Sequence, residues 1–250
     1  MHALMLPYMV VAMLDRRDEY VQDHGGHSPL TNSSRLERRA KFDGEIAQRW
    51  PGGSHPRPVR HGSTSAASEG TLAAASPALK QASPSNTVIG GMTHNGGNVN
   101  PPIFIRIMKL KNGKVPPMDL YGHNPFDPRA PNIKQGPIGK FRGLNDVDTL
   151  WKEIKAAYGR QKKGRPKGLF LSEFTVQSDH DSGVFAFHVT REEQAKRLTG
   201  AFKLARKLKY VNTLGWFSLY DYPDSADNPA WGLLTYEGAM KPAFAAYAAV

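Results

Sequence analysis

Residues 168–176 read GLFLSEFTV. Three large apolar residues run straight into an acid, Glu173, and the chain then turns apolar and β-branched again. A short, nearly continuous apolar run of this kind marks a strand buried on both faces. A carboxylate at the tip of such a strand is costly unless something pairs with it. Its presence there asks for a reason, either an ion pair with a nearby Arg or Lys or a chemical role.

Outward from this strand the pattern repeats. TVIGGMT (87–93) reads as a short strand that ends in HNGGN, and MDLYGHNPF (118–126) as a second one closed by proline. TLGWFSLYDYP (213–223) reads as a fourth. Helical patterns separate them. PPIFIRIMKLKNG (101–113) has proline at its start and Asn-Gly at its end, the punctuation of a helix. DVDTLWKEIKAAYG (146–159) carries Leu150, Ile154 and Ala157 on one face with Trp151 beside them, and Asp146 or Asp148 can cap it. TREEQAKRLTGAFKLARKL (190–208) opens with Thr190 and Glu193 at capping-box spacing. Its apolar stripe is Leu198, Ala201, Phe202 and Ala205. KPAFAAYAAV (241–250) predicts a terminal helix.

The order is therefore β-α-β-α-β-α-β-α. Apolar strands alternating with amphipathic helices predict a parallel sheet with helices outside. Two architectures satisfy it, an open doubly wound sheet and half of an eight-fold β/α barrel. The stretch GGMTHNGG has neither the glycine spacing nor the following acid of a dinucleotide fingerprint, which weakens a nucleotide-binding reading.

The 250 residues, 40% of them hydrophobic, suffice for one large domain or two small ones. There is no cysteine, so no disulfide framework and no thiolate metal site. That absence is compatible with cytosol or exterior, and the location stays open between them. The net charge of +11 raises the question of a nucleic-acid partner. The densest basic run, GRQKKGRPK (159–167), lies between a helix and a strand and reads as a solvated loop. No nucleic-acid partner is expected. The acids around His180, in DHD, are a weak metal signal, and neither metal nor cofactor is expected. The opening MHALMLPYMVVAML is too short to span a bilayer. It could serve as a signal-peptide core, but it lacks a basic leading region. No membrane association is expected.

In parallel β/α folds the active site lies at the C-terminal ends of the strands. Here those ends supply His94 and Asn95, then Tyr121, His123 and Asn124, then Glu173, then Trp216, Ser218, Tyr220 and Asp221. Acid, imidazole, amide and aromatic groups on one rim suit a sugar, whose ring face stacks on an aromatic while its hydroxyls find polar partners.

These residues carry a resemblance. Residues 75–250 resemble the second half of clan A glycoside hydrolases, the retaining β/α-barrel enzymes with cellulase-like and β-xylosidase-like members. LFLSEF resembles their strand-seven nucleophile signature and MDLYGHNPF their strand-six region. LGWFSLYD is similar to strand eight with its sugar-stacking Trp, and WGLLTYEGAMKPAFAAY to the closing turn and helix. The resemblance implies a (β/α)8 TIM barrel of which strands five to eight are recognisable. It also implies hydrolysis of O-glycosidic bonds in a carbohydrate by two carboxylates ~5–5.5 Å apart. Glu173 would be the catalytic nucleophile, kept ionised by Tyr121 or His123. His94, Tyr121, His123, Asn124, Trp216 and Tyr220 would bind substrate, with Trp216 as the floor.

The chain departs from that pattern upstream. The family's acid/base follows an Asn at the end of strand four, and this chain contains no Asn-Glu pair. SPALKQASPSN (76–86) resembles the tail of helix four, but residues 1–74 read as an irregular or disordered segment rich in Gly, Ser, Pro and His. Either they are an out-of-frame translation joined to a half barrel, or they are a genuine divergent region. On either account the expectation is a truncated form poor in turnover, with a carbohydrate-binding protein without turnover as the alternative. The oligomeric state stays open, since a half barrel has edges that a second copy can cover.

Overall fold

The computed structural model describes residues 64–97, 99–110, 112–223, 225 and 227–250, with side chains from residue 72 onward. They fall in one unit; a second, Arg17–Ser63, lies outside the described residues. So does most of the segment expected to be irregular, including the apolar opening stretch.

The elements in order are α1 (Thr64–Ala82), β1 (Ile89–His94), α2 (Pro101–Ile107), β2 (Leu120–Asn124), α3 (Val147–Tyr158), β3 (Gly168–Phe174), α4 (Arg191–Lys207), β4 (Val211–Trp216) and α5 (Pro242–Ala248). The four strands form one sheet in the order β1-β2-β3-β4, every neighbouring pair parallel. A doubly wound sheet reverses its strand order at a switch point. The four described strands show no such reversal.

Differences from the expected elements have local causes. Helix α1 begins at Thr64, upstream of the expected boundary at residue 74/75. Its sequence, TSAASEGTLAAASPALKQA, is rich in alanine, so it has helix propensity while lacking the amphipathic stripe that marks a helix in a sequence. Helix α2 stops at Ile107, where the Met108 N–H bonds Phe104 O; the Asn-Gly that was expected to end the helix instead makes a separate turn, closed by Gly113 N on Leu110 O.

The helices cover one face of the sheet. Val147, Leu150, Ile154 and Tyr158 of α3, and Leu198, Ala201, Phe202 and Ala205 of α4, share one core cluster with Tyr121, Leu169, Leu171, Leu214 and Trp216 of the strands. Helix α5 packs against α4 through Tyr247 edge-on to Phe202, 5.5 Å between centroids. Trp151 is a packing residue, stacked on Tyr210 at 5.7 Å. Thr190 caps α4 by accepting the Glu193 N–H at 3.1 Å. Thr190→Ala leaves that donor open, and urea unfolding is expected to show a loss of about 1 kcal/mol.

The basic run 159–167 precedes β3, at the opposite end of the strand from Glu173. Part of it is anchored: Gln161 accepts from Val115 N at 3.0 Å and donates back to Val115 O at 2.8 Å.

Candidate functional site

Strand ends carry side chains alternately to the two faces, so which face each polar residue takes decides its role. On β2 the alternation is regular. Tyr121 and His123 point to the helix side, where both meet Thr93: Oγ1 lies 3.3 Å from the Tyr121 hydroxyl and 2.9 Å from His123 Nδ1. Leu120, Gly122 and Asn124 take the other face. The Met92 side chain packs where a Cβ on Gly122 would stand.

Strand β3 breaks the alternation. Leu171 pairs with Leu214 and Phe174 with Trp216, so three steps along β3 match two along β4. The extra residue is a local irregularity of the β-bulge kind, offset by an opposite shift between Leu169 and Phe170, where one step along β3 matches two along β4; such irregularities re-aim side chains. Leu171 and Phe174 both lie in the helix-side core. Ser172 and Glu173 between them both reach Asn124: Ser172 Oγ donates to Asn124 Oδ1 at 2.6 Å, and the Asn124 amide also acts on the Glu173 carboxyl. Without the bulge, Glu173 would follow Leu171 to the helix side.

Glu173 is half-buried. Burial raises its pKa above the ordinary carboxylate value, and Asn124 partly opposes the rise by favouring the charged form. Among the described residues it takes part in no ion pair, although Glu153 and Glu193 each pair with an arginine. The reading of Glu173 as a structural acid held by Arg or Lys therefore has no support in the geometry.

Three residues expected at the sugar-binding rim lie elsewhere. Tyr121 and His123 are 0% exposed and Trp216 3% exposed. His123 donates from Nε2 to Arg142 O at 2.7 Å, since a carbonyl can only accept. That leaves Nδ1 to accept from the Thr93 hydroxyl. Burial pushes its pKa down to about 4, so it is a neutral pin between β1, β2 and the loop before α3. Trp216 stands edge-on to Phe174, donates its indole N–H to Trp231 O at 3.1 Å and is packed in the core. Neither Tyr121 nor His123 lowers the pKa of Glu173, which moves in the opposite direction from that expected.

His94 and Tyr220 keep contact with solvent. His94 pairs in register with Asn124 and its ring lies 5.5 Å from Phe126. Desolvation lowers its pKa, against a hydrogen bond with Asn95. Tyr220 is half-buried beside a bridge to Leu234. Glu173, Asn124 and His94 thus share one end of the sheet.

Two buried charge clusters behind this end had no counterpart in the reading of the sequence. Arg129 joins Asp127 and Asp146 in the loop between β2 and α3. Lys241 joins Asp221 beyond β4. Among the described residues no group of three His, Cys, Asp or Glu side chains could hold a metal ion, and no helix is long and apolar enough to cross a membrane.

No family model matches the chain, and no curated protein matches it by sequence. The solved structures to which it is similar include a GH39 β-xylosidase from Caulobacter crescentus, 19% identical with a TM-score of 0.46, covering 86% of this chain and 44% of that one. A β-D-glucuronidase from Dictyoglomus thermophilum is 14% identical with a TM-score of 0.44, covering 72% and 28%. A GH2 β-galacturonidase from Eisenbergiella tayi is 9% identical with a TM-score of 0.45, covering 73% and 30%. This chain spans less than half the length of each of the three.

Proposed function

We propose that this chain carries the C-terminal half of a clan A β/α-barrel glycoside hydrolase and that Glu173 attacks the anomeric carbon of a carbohydrate substrate. The observation that carries this reading is the bulge in β3. It turns a half-buried carboxyl, without a cationic partner among the described residues, away from the helices and onto the face it shares with Asn124. A carboxylate held without an ion pair costs stability, and such a cost is characteristic of functional sites. Asn124, His94 and Tyr220 are the residues we assign to substrate hydroxyls.

The reaction follows from one carboxylate. Glu173 forms a C–O bond to the anomeric carbon as the bond to the leaving oxygen breaks and its electron pair departs with that oxygen. A poor leaving group needs a proton at that moment, which in the retaining mechanism comes from a second carboxyl. Among the described residues no other carboxylate contributes to the titration of Glu173. That favours a second reading, sugar binding with little or no turnover of natural glycosides.

A 2,4-dinitrophenolate leaves without protonation and isolates the step that Glu173 performs. With 2,4-dinitrophenyl glycosides of common pentoses and hexoses, the full chain is expected to release a burst of one dinitrophenolate per chain. Glu173→Gln abolishes it. The attacking species is the carboxylate and its pKa is raised, so the burst rate climbs as pH rises through that raised value and levels off above it. Absence of a burst with every sugar, or a burst that survives Glu173→Gln, sinks the proposal.

A further inference from the structure

Just beyond β2 and β3, at the same end as Glu173, lies a cavity of about 220 Å³. Phe126, Phe141, Phe185 and Phe187 form its walls together with Val176. Pro128 and Ala186 line it as well and are exposed, so they form its mouth. Thr175 on the wall is two residues past Glu173, and Phe126 two residues past Asn124.

Four polar side chains also line the cavity, and each is already committed to a protein partner. Asn95 donates to Phe126 O at 2.6 Å and Thr175 to Trp231 O at 3.2 Å. Gln177 donates to Phe185 O and Phe187 O, both at 2.7 Å, and accepts from Ser182 Oγ at 2.8 Å. Asp127 accepts from Arg129 through both oxygens at 2.8 Å and from Asn145 N at 3.0 Å. The phenylalanines continue into an aromatic chain, with Phe126 5.7 Å from Phe185 and Phe185 5.8 Å from Trp231.

We infer that this cavity is a binding site for a monocyclic aryl group and that it excludes a sugar ring. A water molecule needs two to four polar partners to be held, and an apolar cavity of about 150 Å³ already accommodates benzene. The walls here offer π-faces at the right scale, and the polar side chains among them are each already engaged within the protein. A sugar placed here would bury several hydroxyls with few groups left to bond them, each unbonded one at a cost of kilocalories. A phenyl ring loses nothing of that kind and gains edge-to-face contacts. Assigning the aryl group to the leaving side of a glycoside rests on the function proposed above; the binding itself needs no turnover.

The test is titration of the full chain with fluorobenzene, followed by fluorine NMR. Saturable binding is expected, and free xylose or glucose in large excess leaves it unchanged. Ala186→Trp and Pro128→Trp change exposed positions at the mouth, so the fold tolerates them, and each is expected to weaken binding by about ten-fold, some 1.4 kcal/mol. Lack of saturable binding, indifference to both substitutions, or displacement by either sugar overturns the site. Fluorobenzene binding as described, with no burst from any dinitrophenyl glycoside, supports the aryl site and removes the glycosidase reading. A burst without fluorobenzene binding does the reverse.

Discussion

Arg129→Met is expected to destabilise the protein by about 3–5 kcal/mol, because it leaves two buried carboxylates without their cation. The Arg129 guanidinium donates Nε to Asp127 Oδ1 at 2.8 Å and one terminal nitrogen to Asp127 Oδ2 at 2.8 Å and Asp146 Oδ2 at 2.7 Å. Its other terminal nitrogen holds Gly136 O at 2.9 Å. Both aspartate side chains are wholly buried, while the arginine keeps slight access to water. The aspartates also accept backbone N–H groups of Asn145 and Gly143, so the loop between β2 and α3 is organised around them. One consequence separates this account from simple loss of packing. Adding Asp127→Asn and Asp146→Asn should recover part of the loss. Urea unfolding of the three proteins measures it; a loss below about 1 kcal/mol for the single substitution, the size of an ordinary surface ion pair, would contradict the buried-charge account.

Lys241→Met is expected to cost a similar amount, about 3–5 kcal/mol. Its ammonium is fully buried and donates to both oxygens of Asp221, at 3.0 and 3.1 Å, and to Ala230 O at 3.1 Å. Burial pulls the lysine pKa down and pushes that of Asp221 up, and each partner resists the shift of the other. Asp221 Oδ1 also accepts Gly232 N at 2.6 Å. One pair thus joins the segment after β4, the strand-like stretch around Leu233 and the start of α5. Pairing Lys241→Met with Asp221→Asn in a double-mutant cycle should show the double variant to be less damaged than the two single losses summed. Hydrogen exchange supplies an independent readout: residues 242–248 should lose protection before the sheet does. Equal protection of α5 in wild type and Lys241→Met would show that this pair does not hold the helix.

The four strands and the two long helices were readable because their patterns are strong. Val147–Tyr158 and Arg191–Lys207 repeat apolar residues at helical spacing, and the strands are short apolar runs bounded by Gly, Pro or Asn. Helix α1 was hidden because an alanine-rich stretch has propensity without a stripe. Of the rim residues, Glu173 and Asn124 share a face, whereas Tyr121, His123 and Trp216 do not join them. Polarity at a strand end suggests the rim, yet the pleat sends every second residue behind the sheet. His123 satisfies both ring nitrogens there, and Trp216 its indole N–H, so burial costs them little. Arg129 and Lys241 were missed for a related reason. A charged residue in a loop reads as solvated unless its partners are known, and Asp146 and Asp221 lie 17 and 20 positions away. The aryl cavity had no signal in spacing either, since its phenylalanines come from two separate loops, the one after β2 and the one after β3.

The direction in which Glu173 points is a matter of placement. Its position between Leu171 and Phe174, both of which face the helices, sets it, and no particular side chain has to be recognised for it to hold. Substitutions along β3 therefore leave the acid facing the same way, and so would loss of the Ser172 codon, since a lone residue between those two stands opposite both. Inheritance of this site depends on the glutamate staying between two core residues more than on the exact length of the strand.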